Sequence, residues 1–430
     1  MQKFVQEGDV MYLTAGGTTN RPQKLVRQST GQFVISDFEN VNGPVLDVVN
    51  QSSTLTASSK SGSITVTASV ATFQPGHVGS LWELRNHSGT IGSRGYYSIT
   101  AFSIYTSVTA KVVGNDLFGT SATNYWGEAA WSGVRGYPNS ISFHEQRLAF
   151  GATEQSPLTV FFSKTNANYE DFDSAEANAA DAFTVTLSGQ KNTIRWLASD
   201  TNFLVAGTYG GLAFVGSGNS TEALSVSNVQ TRNGESFGAN VVQGTQFGTG
   251  VKYIQSGGKR LYQAVYDDLS LKYTVSDLTS ISDEVLGDGA TYVASQTEPY
   301  ETLWYTLNNG TLVGYTEENE QEVKGFHEHT TDGLFESVCV VPNAGQDQQW
   351  VIVNRTIGGS TARYVEYKEP DRSIEFFVDS GVEFNGLQAE TLTLSQVGVG
   401  TGVTATAGGS VFVSGDVGRK IFTFNSDGAP

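Results

Sequence analysis

"GYPNSISFHEQRLAFGATEQSPLTVFFSKTNANYEDF", residues 136–172, supports two readings. His144 beside Glu145, then Arg147 and a closing acidic cluster, are the residue types of an active site. The same letters also alternate with period two, as strands of a sheet do. On a strand through 141–150, Ile141, Phe143, Glu145, Arg147 and Ala149 share one face, and His144, Gln146, Leu148 and Phe150 the other. His144 and Glu145 then point apart and do not act as a pair. Glu145 and Arg147 are placed for a surface salt bridge worth about 0–1 kcal/mol. The stretch reads as structural, with His144 a structural or interfacial side chain.

The form recurs along the chain. "NFLVAGTYGGLAFVGSG" (202–218), "VKYIQSGGKRLYQAVYDD" (251–268), "LWYTLNNGTLVGYTEEN" (303–319) and "QWVIVNRTIGGSTARYVEYKE" (349–369) each give a strand, a Gly- or Asn-containing turn and a second strand rich in Tyr, Phe or Val. Asn309-Gly310 predicts a type I′ hairpin with both central residues at positive φ, and Gly257-Gly258 serves the same purpose. Such hairpins return roughly every 40–50 residues, the spacing of a propeller blade, a small sheet that must stack on neighbours to bury its faces. The expected fold is all-β: a propeller-like body of repeated hairpins or blades with small inserted β modules, a β-sandwich or stacked hairpins being the alternatives.

Composition narrows the function. With 25 Lys and Arg against 43 Asp and Glu, the net charge is −18, and no basic cluster suits a phosphate backbone. An acidic surface does fit a protein that lets DNA pass without adsorbing it, because like charges repel within about 8 Å at physiological salt. The one cysteine, Cys339, excludes a disulfide within the chain or a cysteine zinc site, and its valine neighbours predict a buried, inert thiol. No run of 18 apolar residues occurs and the first residues do not resemble a signal peptide, so a soluble chain made without export and without membrane insertion is expected.

Two segments break the hairpin rhythm and resemble each other. "ITVTASVATFQPGHVGSLWELRN" (64–86) aligns without a gap to "VTATAGGSVFVSGDVGRKIFTFN" (403–425). Thr65, Thr67, Ala68, Phe73, Gly76, Val78, Gly79 and Asn86 meet Thr404, Thr406, Ala407, Phe412, Gly415, Val417, Gly418 and Asn425. Paired glycines at fixed offsets predict the same turn in both, so a small β module is used twice. The expected organisation is 1–50 as N-terminal strands of the body, 51–125 as an inserted module, 126–375 as the main body, and 376–430 as a second, incomplete module. Incompleteness suggests a fragment or one part of a split protein.

Other chemistry finds little support. His327 and His329 in "GFHEHTTD" face one way on a strand and suit a metal only with a third ligand that no motif supplies, so a solvent-facing strand is expected. "NYEDFDSAEAN", "TEENEQE" and "EVLGDGA" lack the register of a calcium loop, and catalytic carboxylate spacing cannot be read from them. "TEENEQE" reads as a solvated tip. Neither a phosphate loop nor a nucleophile elbow occurs.

Taken in order, Trp131, Gly136-Tyr137-Pro138, Phe143 with Gln146-Arg147-Leu148, Pro157, Ser163-Lys164, Tyr169 and Phe172 resemble the signature region of the tail nozzle proteins (tail tubular protein B family) of short-tailed bacteriophages. Glu145 stands where Gln is common, and Asp171 where Asn is. "DVMY" (9–12), "PQKL" (22–25) and "DVGR" (416–419) extend the resemblance, while His77-Val78-Gly79-Ser80 departs from the last motif. The resemblance implies a structural virion protein with a β-propeller, without enzymatic activity or cofactor. It would be assembled in the host cytoplasm as a ring of six copies at the tail tip. Implied partners are further copies of itself, a tail adaptor protein, tail fibres or spikes, and viral DNA in transit without specific binding. Opening would be a two-state shift of ring interfaces. The alternatives are a virion carbohydrate-binding or glycan-cleaving protein, which needs a cleft with two convergent carboxylates, and an extracellular adhesive array.

Overall fold

The computed structural model describes residues 2–48, 50–85, 94–174, 178–189, 192–218, 222–267, 272–343, 345–368, 379–381, 392–396 and 401–418. It is 52% strand and 2% helical, the all-β, propeller-like fold expected. Two compact units divide at 293/294.

In the first unit, β1 (Lys3–Glu7), β2 (Val10–Thr14), β3 (Gln23–Ser29) and β4 (Gln32–Asp37) form one antiparallel meander. Then comes a closed barrel of β5 (Asn50–Ala57), β6 (Ser63–Ala68), β7 (Leu81–Arg85), β8 (Arg94–Ile104), β9 (Ser107–Val113) and β10 (Thr123–Gly127), in the order β10-β5-β6-β9-β8-β7. Three more four-stranded meanders follow. They are β11 (Ser140–His144) to β14 through β12 (Arg147–Gly151), β13 (Thr159–Phe162) and β14 (Phe183–Thr186); β15 (Ile194–Ser199), β16 (Leu204–Thr208), β17 (Gly211–Ser217) and β18 (Val229–Asn233); and β19 (Thr245–Gln246), β20 (Val251–Ile254), β21 (Leu261–Asp267) and β22 (Lys272–Asp277).

The second unit contains a four-stranded meander of β23 (Ala290–Gln296), β24 (Thr302–Leu307), β25 (Leu312–Glu318) and β26 (Val323–His329), in whose first strand the division falls. It continues with β27 (Leu334–Val341), β28 (Gln348–Ile357) and β29 (Ser360–Tyr367), and ends in the pair β30 (Leu392–Leu394) and β31 (Ala405–Ala407).

Alternation explains why these meanders stack. In β12, Leu148 and Phe150 join a core with Tyr12 and Phe38, while Ala149 joins one with Leu197 and Leu204. In β17, Ala213 and Val215 face that second core, and Leu212 and Phe214 a third with Val251 and Tyr253. The β11–β14 and β15–β18 sheets thus bury side chains on both faces. The barrel has its own core of Leu55, Ile64, Val66, Phe73, Trp82, Tyr97, Val108 and Trp126.

Three local expectations fail, one of them at Gly257-Gly258, where only Gly258 takes positive φ and its N–H donates to the Gln255 carbonyl. Residues 141–150 are a hairpin and not one strand: Glu145 (φ 44°) and Gln146 (φ 62°) form a two-residue turn, and His144 pairs with Arg147. Residues directly opposite in an antiparallel pair share a face, so Phe143 lies with Leu148, and His144 with Arg147. At 307–311, only Gly310 takes positive φ, and its N–H donates to the Leu307 carbonyl while Leu307 N–H donates to that of Thr311. This is a three-residue loop with a glycine bulge and not a type I′ turn. The two-glycine turn of positive φ occurs at Gly358-Gly359, closing Ile357 against Ser360.

Candidate functional site

The signature side chains converge on β11–β13 and the segments flanking them. Trp131, Tyr137, Leu148 and Phe172 are buried with Tyr12, Phe38, Phe150 and Phe161, and Phe143 and Tyr169 pack at the margin. Trp131 lies 5.0 Å from Phe150 and 5.1 Å from Phe172 by ring centroids, both edge-on. Gly136 has φ 83°, and a Cβ there would meet the backbone nitrogen of Glu154 at 2.8 Å. The Tyr137 hydroxyl accepts from Arg21 Nε at 3.1 Å, and the Pro138 carbonyl accepts from the Thr14 hydroxyl. Gln146 is exposed in the turn and Pro157 exposed in a loop.

Arg147 is wholly buried. Nη1 donates to the carbonyls of Ser163 and Asp181, each at 2.7 Å, and Nη2 to that of Ala179, with the guanidinium carbon 5.1 Å from the Phe183 ring centre. Ser163 Oγ accepts from Leu148 N at 2.9 Å. The planar fork ties three chain segments together, a task for which a lysine point charge is unsuited. The expected Glu145–Arg147 salt bridge is not formed, because the turn carries Glu145 elsewhere: its carboxylate accepts from Leu224 N. Sequence gave no sign of this hub, since its acceptors are backbone carbonyls.

Beside it, Lys164 Nζ stands 3.2 Å from Asp173, 3.6 Å from Asp181 and 3.9 Å from Asp171, and Arg94 of the barrel holds Asp173 from the other side. Burial opposes ionisation of Asp173, yet the two cations keep its carboxyl below the usual range. A carboxylate held ionised is no general acid, and this part of the acidic cluster is spent on joining barrel to blade; Glu176 lies outside the described residues. A second joint was not foreseen. Glu128 accepts from His77 Nε2 at 3.1 Å and from Arg135 Nε at 2.7 Å, and although burial opposes it these bonds hold its carboxyl below the usual range.

His144 and Glu145 are closer than alternation implied. Nε2 is 3.8 Å from the Glu145 carboxylate, and Nδ1 is 2.8 Å from Ser199 Oγ. The set has the letters of a hydrolytic triad without its geometry: 3.8 Å is not a hydrogen bond, and burial pushes the buried His144 down to about 4, a poor base at neutral pH.

His327 and His329 do share a face, but that face is half-buried and not solvent-facing. Their rings are joined Nδ1 to Nε2 at 2.8 Å, and each lies 5.2 Å from the Trp304 ring centre. Burial, then Lys368, then His327 push His329 down to about 4. Among the described residues no group of three metal-ligating side chains occurs.

"TEENEQE" is not a solvated tip throughout. Thr316 to Glu318 belong to β25, where Glu317 is fully buried against Lys324 Nζ at 3.0 Å, and the turn begins only at Asn319. Cys339 is exposed and not a core thiol, because alternation turns Val338 inward; partial burial still raises its pKa, away from a reactive thiolate.

A cleft of about 400 Å³ is lined by Thr14, Asn20, Arg21 and Asp37, and one of about 380 Å³ by Asn139, Thr153, Glu154 and Thr193. Each holds one carboxylate, where glycoside cleavage uses two.

No protein-family model matches the chain, and no curated protein matches it. Among solved structures, apo AztD from Citrobacter koseri aligns over 72% of this chain and 93% of its own, with 10% identity and a TM-score of 0.28. A likeness that low carries no statement about function.

Proposed function

We propose that the chain is a structural virion protein, a subunit of the ring-shaped tail nozzle that forms and gates the DNA exit channel of a short-tailed bacteriophage. The observation that carries this reading is the ordered run from Trp131 to Phe172, which resembles the tail tubular protein B signature and whose Arg147 and Lys164 are spent on contacts within the protein. Arg147 binds carbonyls, and Lys164 binds aspartates. Residues so used are placed to hold a shape, in keeping with a role without catalysis. The net charge of −18 favours a conduit that DNA crosses without binding.

In this reading six copies close a ring through repeated heterologous contacts, an adaptor protein docks above, fibres or spikes attach at the sides, and ejection shifts the ring between two packings. Electron microscopy of the purified chain, alone and with tail partners, tests it. A ring of fixed symmetry around a channel is the expected result. A monomer that persists with those partners and binds or cleaves host-surface polysaccharide would overturn the proposal.

A further inference from the structure

β26 sets two imidazoles side by side, and the sheet beneath them leaves room for both. His327 and His329 lie two residues apart on the strand, so their side chains leave the same face, and both are partly exposed to solvent. Directly opposite His327 on β25 is Gly314, and directly opposite Gly314 on β24 is Trp304. Gly314 does not take positive φ, so its backbone does not require glycine. The neighbouring ring does, because a Cβ at Gly314 would run into His327 Cε1. Trp304 walls the pair, 5.2 Å from each ring centre, with its Nε1 donating to Gln296 Oε1 at 2.8 Å.

A chain of hydroxyl groups fixes the proton on His327. The Tyr300 carbonyl only accepts, so Thr302 Oγ1 donates to it, at 3.4 Å. Thr302 Oγ1 then accepts from Thr316 Oγ1 at 3.0 Å, and Thr316 Oγ1, its proton spent, accepts from His327 Nε2 at 3.0 Å. Nδ1 of His327 is left with its lone pair, which faces His329 Nε2 at 2.8 Å. Burial first, and Lys368 second, push both imidazoles below their ordinary pKa. Both are therefore neutral at pH 7, the form that binds metal ions.

We infer that His327 Nδ1 and His329 Nε2 are the two protein ligands of a divalent transition-metal site. Nitrogens 2.8 Å apart, each at the usual metal–imidazole distance of about 2.0 Å, subtend about 90° at the ion. That is the angle between neighbouring ligands in a square-planar or tetragonal complex, whereas a tetrahedral ion would spread them to about 3.3 Å. The geometry selects Cu(II) or Ni(II), with solvent oxygens in the remaining positions, over zinc. The third protein ligand that a structural zinc site demands is then not required.

His327 needs no rearrangement to bind, because Thr316 already holds its proton on Nε2, as outer acceptors do for metal-bound imidazoles. His329 changes tautomer: Nε2 gives its proton to solvent and Nδ1 takes one up. Lys368, with Nζ 4.9 Å from the Trp304 ring centre, opposes a second cation. An ion held by charge alone gains nothing here, and one bound through nitrogen does. The inference does not depend on the nozzle reading.

The test adds copper(II) chloride alone to the full chain at pH 7 and reads the electron paramagnetic resonance spectrum. One equivalent bound in a tetragonal site with two imidazole nitrogens is the expected result. His329→Gln should remove one nitrogen from that spectrum. Thr316→Val keeps both ligands but removes the outer acceptor, and should weaken binding about 10–100-fold; Lys368→Met should strengthen it. These two variants decide the matter if His329→Gln fails to fold by circular dichroism, and unchanged affinity in both would overturn the inference. No binding would overturn it as well. So would the same two-nitrogen spectrum in His329→Gln, or its loss in His87→Gln, either of which marks an adventitious ion only.

Discussion

Residues 63–79 and 402–418 take the same local form in different surroundings. In the first, His77 Nδ1 accepts from Gln74 N at 3.1 Å; in the second, Asp416 Oδ2 accepts from Val413 N at 2.9 Å. The motif position requires an acceptor three residues after an extended residue, and imidazole and carboxylate both provide one. That is why His77-Val78-Gly79-Ser80 can depart from Asp416-Val417-Gly418 without changing the turn. Strand pairing, turn and left-handed glycine are thus specified within the segment, whereas burial depends on β7–β10 closing over it. Local structure and tertiary stabilisation are separable here, and variants at matched positions measure the second.

The largest difference is expected at the matched aromatics. Phe73→Ala removes a wholly buried ring 5.3 Å from Trp82 and should cost about 3–5 kcal/mol, whereas Phe412→Ala should stay within about 0.5 kcal/mol. Urea denaturation of both variants measures the contrast. Equal costs would mean that the second face is already covered in solution.

Acidification should have the next largest effect, and through the blades. Burial holds His144 at about 4 in the folded chain, against about 6.5 unfolded. Between those values the unfolded state binds the extra proton, so stability is complete above about pH 6.5 and falls as the pH drops towards 4, at up to about 1.4 kcal/mol per pH unit. Urea midpoints at pH 7 and pH 5 measure this, and His144→Gln should remove the share due to His144 and leave that of His329, which burial also holds at about 4. Because His144 packs on Ser199 and outside both modules, the Phe73/Phe412 contrast should remain unchanged at pH 5 to within about 0.5 kcal/mol.

The extent to which sequence revealed this follows from where each signal resides. Alternation and glycine turns disclosed the all-β, propeller-like fold, and the glycine offsets disclosed the repeated module. The turn at Glu145-Gln146 was hidden because it uses positive φ without glycine or asparagine, and missing it grouped Phe143 and Arg147 on one face when the hairpin sets them on opposite ones. Barrel closure was also hidden: β10 meets β7 at Gly127↔Glu83, a pairing over long sequence separation that no local pattern announces. The joints at Arg147 and Glu128 rest on carbonyls and on partners scattered in sequence, so their letters gave types without partners.

A smaller difference is expected at the matched glycines. Gly76→Ala forces a methyl group against the Gly133 backbone and should cost about 1–3 kcal/mol, whereas Gly415→Ala meets open space and should be neutral, or stabilising by about 0.4–1 kcal/mol through the unfolded state. Thermal unfolding of the pair measures it. Destabilisation by Gly415→Ala would place a backbone against the second turn as well.

The smallest effect tests the shared acceptor itself. Asp416→Ala deletes the bond from Val413 N at an exposed turn and should cost about 0.5–1 kcal/mol, while Asp416→His should restore most of it, because Nδ1 can accept the same N–H as in the first copy. The reverse exchange is not equivalent. His77→Asp keeps the acceptor but sets a carboxylate where Nε2 donates to Glu128, so it should destabilise more than Asp416→His does. Amide exchange at Val413 and Gln74 reads each bond directly. If Asp416→His fails to slow exchange at Val413 relative to Asp416→Ala, the turn requires a carboxylate, and the equivalence of the two copies at this position is lost.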